Sequence, residues 1–230
     1  MLVYGRNVAK DYLEKFCNDI KRIIIQDNLN DKYLISLLEN VNCSIKRVPI
    51  RQMDELANGN HQGIILDVTD YKYYDVDVAL SSELIVVLDH LEDPHNFGAI
   101  IRTCEAAGVD CIVIPSDRSV QVNATVMKTS AGALTRMKVV MVANISNFLS
   151  SIKKNGFWVV GTAMDGTDYR EIDYNGKVAI VIGNEGKGMS RVVTNECDFI
   201  ASIPMSGEIN SLNASVATGI MVYEAIRNRK

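Results

Sequence analysis

The sequence predicts an α/β protein: a small N-terminal α/β unit, then a larger unit built on a mostly parallel sheet. Three observations carry this. Apolar runs such as Leu84-Ile85-Val86-Val87-Leu88 show no alternation, as expected of strands covered on both faces. Cys111–Ile114, Trp158–Ala163, Val178–Ile182 and Phe199–Ile203 repeat the type. Stretches of helical spacing lie between or after them, and polar, glycine-rich loops follow three of the runs. In open α/β sheets the crevice beyond the carboxyl ends of the strands is where ligands bind.

The elements follow in order. Asn7–Cys17 has helical spacing through Val8, Tyr12, Leu13 and Phe16, and Arg22–Ile25 is a β-branched run. Asp31–Asn40 reads as a helix, Ser44–Val48 as extended, Arg51–Ala57 as a helix and Gly63–Val68 as a strand. Asp70–Ser82 is rich in tyrosine and aspartate without a clean period. The predicted boundaries are therefore 1–70 for the first domain, 71–82 for a linker and 83–230 for the second. In the second, helices are predicted at Gly98–Ala107, near Asn123–Ala131, at Ile145–Lys154 and at Ala214–Arg229, with Gly108 and Gly156 as stops for the first and third.

Composition narrows the class. At 47% hydrophobic and 23% charged, 230 residues suit a globular protein with a sizeable core. No window approaches the roughly 18 consecutive apolar residues of a membrane span. The N-terminal Met1-Leu2-Val3-Tyr4-Gly5-Arg6 lacks a secretory apolar core, so a cytoplasmic protein with no membrane partner is expected. Five cysteines without a Cys-x-x-Cys pair, and only His61, His90 and His95, supply neither a disulfide framework nor a metal centre. The net charge of −4 gives no general attraction for nucleic acid. A local basic face could still form from Arg6, Lys10, Lys46, Arg47 and Arg51, or from Arg102, Arg118, Lys128, Arg136 and Lys138.

The chemistry sits in the three loops. In Asp93–Thr103, Asn96 stands where a helix N-cap is expected, and Arg102 sits among Ile100, Ile101 and Ala106 near the crevice. A guanidinium so placed suits a phosphate or carboxylate, or else a salt bridge to Glu105. Gly183–Ser190 fails as a phosphate loop, since two residues separate Gly183 from Gly186 and Gly188 follows Lys187. No Gly-x-Gly-x-x-Gly turn follows the first strand of either half, so nucleotide hydrolysis and nicotinamide chemistry lose their main support. What remains is bare backbone that a ligand can approach, with Glu185 as its one acid. The third loop packs Ser206, Glu208, Asn210, Ser211 and Asn213 before the last helix, and Asn213 or Ser211 is expected to cap it. That hydrogen-bonding capacity suits a ligand with polar edges.

These residues resemble the three signature motifs of the SpoU (TrmH-type) branch of the SPOUT RNA methyltransferases. Asp-Pro-x-Asn-x-Gly-x-x-x-Arg-Thr is matched by Asp93–Thr103, and Gly-x-Glu-x-x-Gly by Gly183–Gly188. Pro-Met-x-Gly through Ser-Leu-Asn is matched by Pro204–Asn213. The stretch from Tyr4-Gly5-Arg6-Asn7-Val8 to His61-Gln62-Gly63-Ile64 resembles the ribosomal-protein-like RNA-binding domain of the members that act on ribosomal RNA.

The resemblance implies a deep C-terminal trefoil knot, a homodimer and S-adenosylmethionine as cofactor. It implies cofactor contacts at Thr162, Gly183, Ile203, Met205 and Leu212, with Asn184, Glu185 and Gly186 shaping the pocket. Its implied reaction is methyl transfer to a ribose 2′-hydroxyl, with Arg102 activating the hydroxyl, Asn96 orienting Arg102 or the RNA, and Ser211 and Asn213 holding the ribose. The expected substrate is a guanosine of large-subunit (23S) rRNA. The alternatives are tRNA, an rRNA site of the antibiotic-resistance type, or a non-catalytic RNA-binding or ribosome-assembly role.

Overall fold

The computed structural model describes residues 1–57, 59–208 and 211–229, together with the backbone but not the side chain of Asn228. The chain divides into two compact units, Met1–Lys72 with Val122–Gly132, and Tyr73–Gln121 with Ala133–Lys230.

The first unit runs β1 (Leu2–Tyr4), α1 (Arg6–Lys15), β2 (Ile20–Gln26), α2 (Lys32–Leu38), β3 (Ser44–Val48), α3 (Ile50–Leu56) and β4 (Ile64–Val68). Its four strands form a mixed sheet in the order β1-β4-β2-β3, with β2 antiparallel to β4 and parallel to β3. The isoleucine run Ile23-Ile24-Ile25 is buried, as a strand with cover on both faces requires. One face packs Ile24, Val48, Met53, Ala57 and Ile65 around Tyr4. Asp31 caps α2, its carboxylate accepting from Leu34 N at 3.0 Å.

The two ends of this unit that resemble a known module meet in space. Gln62 Oε1 accepts from Arg6 N at 2.8 Å, and Arg6 Nε donates to Gln62 O at 3.1 Å. His61, nearly buried, accepts from Gly63 N through Nδ1 at 3.0 Å, so its Nε2 carries the proton toward Asp54 at 3.0 Å.

The second unit runs α4 (Val76–Leu80), β5 (Leu84–Leu88), α5 (Pro94–Ala106), β6 (Cys111–Pro115), then, after a segment that carries α6 (Ala124–Thr129), β7 (Lys138–Val142), α7 (Ile145–Lys153), β8 (Phe157–Asp168), β9 (Lys177–Ile182), α8 (Arg191–Thr194), β10 (Phe199–Ser202) and α9 (Ala214–Asn228). The six strands are all parallel, ordered β10-β8-β9-β5-β6-β7. Every residue of β5 is buried. Ile85, Val87, Val113, Val140 and Val181 pack on one face with Ile145, Phe148, Leu149 and Ile152 of α7. On α5, Phe97, Ile100, Ile101 and Cys104 are fully buried, and α5 packs against α9.

Three differences from the sequence reading have physical causes. The stretch expected as a linker, 71–82, contains α4, whose Ala79 is fully buried in the second unit's core. Five helical residues are too few to show a period. The strand β7 escapes the reading because its apolar run, Val139–Val142, is only four residues long and too short to show a period. The segment with α6 belongs to the first unit: Ala124 packs on the Tyr4 core and Lys128 Nζ donates to Asn60 O at 3.3 Å.

All five cysteines are free thiols. Burial pushes Cys111 up to about 11 and Cys197 up to about 12, and raises Cys104 further, so these three stay protonated and unreactive near neutrality. Among the described residues no cluster of metal-ligating side chains exists, and no helix is long and apolar enough to cross a membrane.

Candidate active site

The site lies in the second unit, at the carboxyl ends of β8, β9 and β10. A cleft of about 1240 Å³ opens there, lined by the second and third loops and by Thr162–Asp165 of β8. All eight residues expected to contact or shape a cofactor pocket (Thr162, Gly183, Asn184, Glu185, Gly186, Ile203, Met205 and Leu212) line this one cleft, and Ser211 joins them.

Loop two is a closed turn built by its own asparagine. Asn184 and Gly188 exchange both backbone hydrogen bonds, at 3.0 and 2.9 Å. Asn184 Oδ1 accepts from Gly186 N at 3.0 Å and Lys187 N at 3.2 Å, filling the turn from inside. Gly183 is a glycine for want of space: a Cβ there would overlap the backbone of Gly188 and Met189. The backbone facing the cleft is thus held without side chains in the way.

Only part of the β8 wall is legible in the sequence. Ile200 of β10 pairs with Gly161, but the next residue, Ala201, pairs with Thr167. Residues 162–166 therefore leave the ladder, and Met164 and Asp165 turn to line the cleft. Gly166 permits the return, since a Cβ there would overlap the Ile200 carbonyl. That glycine is the available signal in the sequence.

Loop one departs from expectation at Asn96. The helix begins earlier than predicted, at Pro94, and Asp93 is the cap, accepting from His95 N at 2.9 Å. Proline at the first position has no N–H to lose and is pre-set for helix. Released from capping, Asn96 lies within the first turn of α5, buried, and faces the other two loops.

A chain of side-chain hydrogen bonds then joins all three loops. Asn213 caps α9: its Oδ1 accepts from Ser215 N, Ser215 Oγ and Val216 N at 2.9, 2.5 and 3.4 Å. Its Nδ2 must therefore face outward, and it donates to Asn96 Oδ1 at 2.8 Å. That fixes Asn96 in turn, whose Nδ2 donates to Glu185 Oε1 at 2.9 Å. Each amide's orientation is dictated by its neighbour. Within the third loop, Ile209 and Asn210 lie outside the described residues.

Asn96→Asp should therefore disturb this chain more than Asn96→Ala. The aspartate places a second carboxylate against Glu185, where the alanine only leaves groups unpaired. A cost of about 1–3 kcal/mol is expected for Asp at neutral pH, measured by denaturant unfolding. Equal or smaller loss for Asp than for Ala would contradict this account of the network.

Arg102 stands about 9 Å further along α5 than Asn96, six residues at the helical rise. It is exposed, and among the described residues it makes no ion pair or hydrogen bond. The salt bridge to Glu105 does not form, because Glu105 is taken by Arg136. Arg102 does not line the cleft, and a cation left unpaired among the described residues is available to a ligand.

This architecture, a parallel sheet with a ligand cleft at its carboxyl edge and a small α/β unit before it, is that of a known enzyme class. Residues 83–223 match the model of the SpoU rRNA Methylase family, and residues 2–74 match the model described as RNA 2'-O ribose methyltransferase substrate binding. A protein of Staphylococcus epidermidis, provisionally named a TrmH family tRNA/rRNA methyltransferase, is 41% identical over 240 residues, covering 100% of this chain and 96% of its own. Among solved structures, the SpoU methyltransferase AviRb of Streptomyces viridochromogenes in complex with AdoMet aligns with TM-score 0.86 at 24% identity, over 99% of this chain and 89% of that one. An AdoMet-bound rRNA methyltransferase of Sinorhizobium meliloti aligns with TM-score 0.81 at 26% identity, over 98% and 86%. The chain belongs to the SpoU rRNA methylase family.

Proposed function

We propose that this RNA methyltransferase uses S-adenosylmethionine to methylate a ribose 2′-hydroxyl, on a guanosine of large-subunit rRNA. The observation that carries the reading is the convergence of the three loops. All the residues expected at a cofactor pocket line one cleft, and the Asn213–Asn96–Glu185 chain ties that cleft to the helix bearing Arg102.

The cleft suits the cofactor by its chemistry. Ile203, Met205 and Leu212 offer apolar cover for a ring, and the backbone of Gly183 and Glu185, unused by the turn, offers hydrogen bonds to its edges. The acids Asp165, Glu185 and Glu208 suit a ligand carrying a sulfonium and an ammonium. When bound, S-adenosylmethionine supplies an electrophilic methyl group.

The chain's own residues do the rest. A guanidinium cannot serve as a base in a protein, so Arg102 acts by its charge. Its guanidinium stabilises the negative charge that develops on the ribose oxygen, and an RNA phosphate or water takes the proton. Both ends of the Asn213 amide are already engaged, so it acts by positioning Asn96, while Ser211 at the cleft is left to meet the ribose.

Three further features belong to the proposal. A trefoil knot through the second and third loops is the family expectation, and the path of the chain past β8 on its way from β9 to β10 supports it. A homodimer is supported by the exposed stripe on α9, where Val216 and Tyr223 are 49% and 55% exposed. Ribosomal RNA is favoured over tRNA because the alignment with the Sinorhizobium rRNA enzyme runs through both units.

The test of substrate is methyl transfer from labelled S-adenosylmethionine to unmodified large-subunit rRNA and to unmodified tRNA in parallel. Label at one rRNA site is expected. Label on tRNA alone would overturn the rRNA assignment.

A further inference from the structure

Outside the three loops, one buried charge is unexplained by the reaction. Asp89, at the end of β5, is 1% exposed. A carboxylate so deep in a protein is costly unless its lone pairs are satisfied. Its partners show what it holds. Oδ2 accepts from Ser190 N at 2.7 Å, and Oδ1 accepts from His90 Nδ1 at 2.6 Å.

The first bond reaches the end of the second loop, and the other holds His90, which in turn reaches the loop's start. Ser190 closes it. At its start, Asn184 Nδ2 donates to the carbonyl of His90 at 2.8 Å. His90 can offer that carbonyl because its backbone is left-handed, with φ of 60°. A residue with a Cβ rarely adopts this conformation without restraint. The restraint here is the ring, tied to the Asp89 carboxylate one residue before. Asp89 N itself donates to Ile182 O at 2.8 Å, so β5 and β9 stay paired up to the loop's edge.

We propose that Asp89 is a positioning residue for the cofactor loop, acting through Ser190 at one end and through His90 and Asn184 at the other. The inference rests on the reading of the cleft as the S-adenosylmethionine site. With the loop fixed at both ends, Gly183–Gly186 present their backbone to the cleft and Glu185 reaches Asn96. Without the carboxylate, Ser190 N loses its acceptor and the His90 backbone loses its tether.

The test compares Asp89→Ala and Asp89→Asn in the full chain. Losing hydrogen bonds to a charged acceptor should weaken S-adenosylmethionine binding about tenfold in Asp89→Ala, measured calorimetrically well below the unfolding temperature. RNA affinity should stay unchanged. Asp89→Asn should restore most of the loss. Its Oδ1 can accept from Ser190 N, and its amide can donate to Nδ1 once the imidazole moves its proton to Nε2.

A purely structural role would lower the melting temperature without moving cofactor affinity, and that result would overturn the proposal. So would equal loss in both variants. If Asp89→Ala does not fold, His90→Gly carries the test, since glycine accepts the left-handed backbone and only the ring is lost. A loss of about threefold in cofactor affinity is expected, and no loss overturns the proposal.

Hydrogen exchange separates this inference from the functional reading. The Ser190 amide should exchange faster in Asp89→Ala than in the wild type whether or not the cofactor binds. Failure of the wild type to bind S-adenosylmethionine would sink the cofactor assignment instead.

Discussion

Arg102→Ala should lower the rate of methyl transfer about 10²–10³-fold while leaving S-adenosylmethionine affinity within about twofold of wild type. The size follows from the role. Removing one donor from a developing oxyanion has that cost once bound RNA orders the guanidinium. The sparing of cofactor affinity follows from position. Arg102 projects from α5, does not line the cleft, and has no described partner that its loss would leave unpaired. Arg102→Lys should recover only part of the rate, because an ammonium is a point charge where the guanidinium is a fork. Single-turnover transfer and calorimetry read the two quantities separately. Equal loss in binding and rate would make Arg102 a cofactor ligand and not a catalytic group.

Gly183→Ala should be the most damaging single methyl in the cleft. The added carbon meets backbone on the far side of the turn, which cannot rotate away. Either the Asn184–Gly188 ladder opens or β9 shifts. Overpacking of this kind costs about 1–3 kcal/mol, a drop of about 2–12 °C in the melting temperature for a chain of this length. Cofactor affinity should fall about tenfold or more, since the strained segment is the one facing the ligand. Gly161→Ala is the control. Its new neighbours, Met189 Cε and Cys197 Sγ, are side-chain ends that can move. If the two substitutions behave alike, crowding against backbone is not what requires glycine at 183.

How much of this is legible in the sequence differs from element to element. Five of the six strands of the second unit's sheet are plain, because a run such as Leu84–Leu88 has only one comfortable place, a sheet covered on both faces. The cleft residues of the second and third loops emerge through the loop motifs, whereas Thr162 of β8 comes only through the family resemblance. Asn96 reads one step wrong, as a cap, because capping preference alone does not weigh a proline two residues earlier preceded by aspartate. Asp89 and His90 give no signal at all. An acid at the end of an apolar run reads as the start of a loop, and only the fold brings Ser190 and Asn184 to it across about a hundred residues of chain, with separations of 101 and 94. The wall from Met164 to Asp165 is hidden for a related reason. A strand that leaves its ladder for several residues keeps an extended backbone, and Gly166 is the one mark it leaves in the sequence.

The central claim, that these loops direct a methyl group to a ribose hydroxyl of RNA, is met most directly by one measurement. Unmodified large-subunit rRNA is incubated with the full chain and methyl-labelled S-adenosylmethionine, then hydrolysed in alkali. A methyl on the 2′-oxygen removes the nucleophile that alkali uses to cut the adjacent phosphodiester, so label should emerge in an alkali-resistant dinucleotide, and only with Arg102 intact. Label in a single mononucleotide would place the methyl on a base and contradict the account.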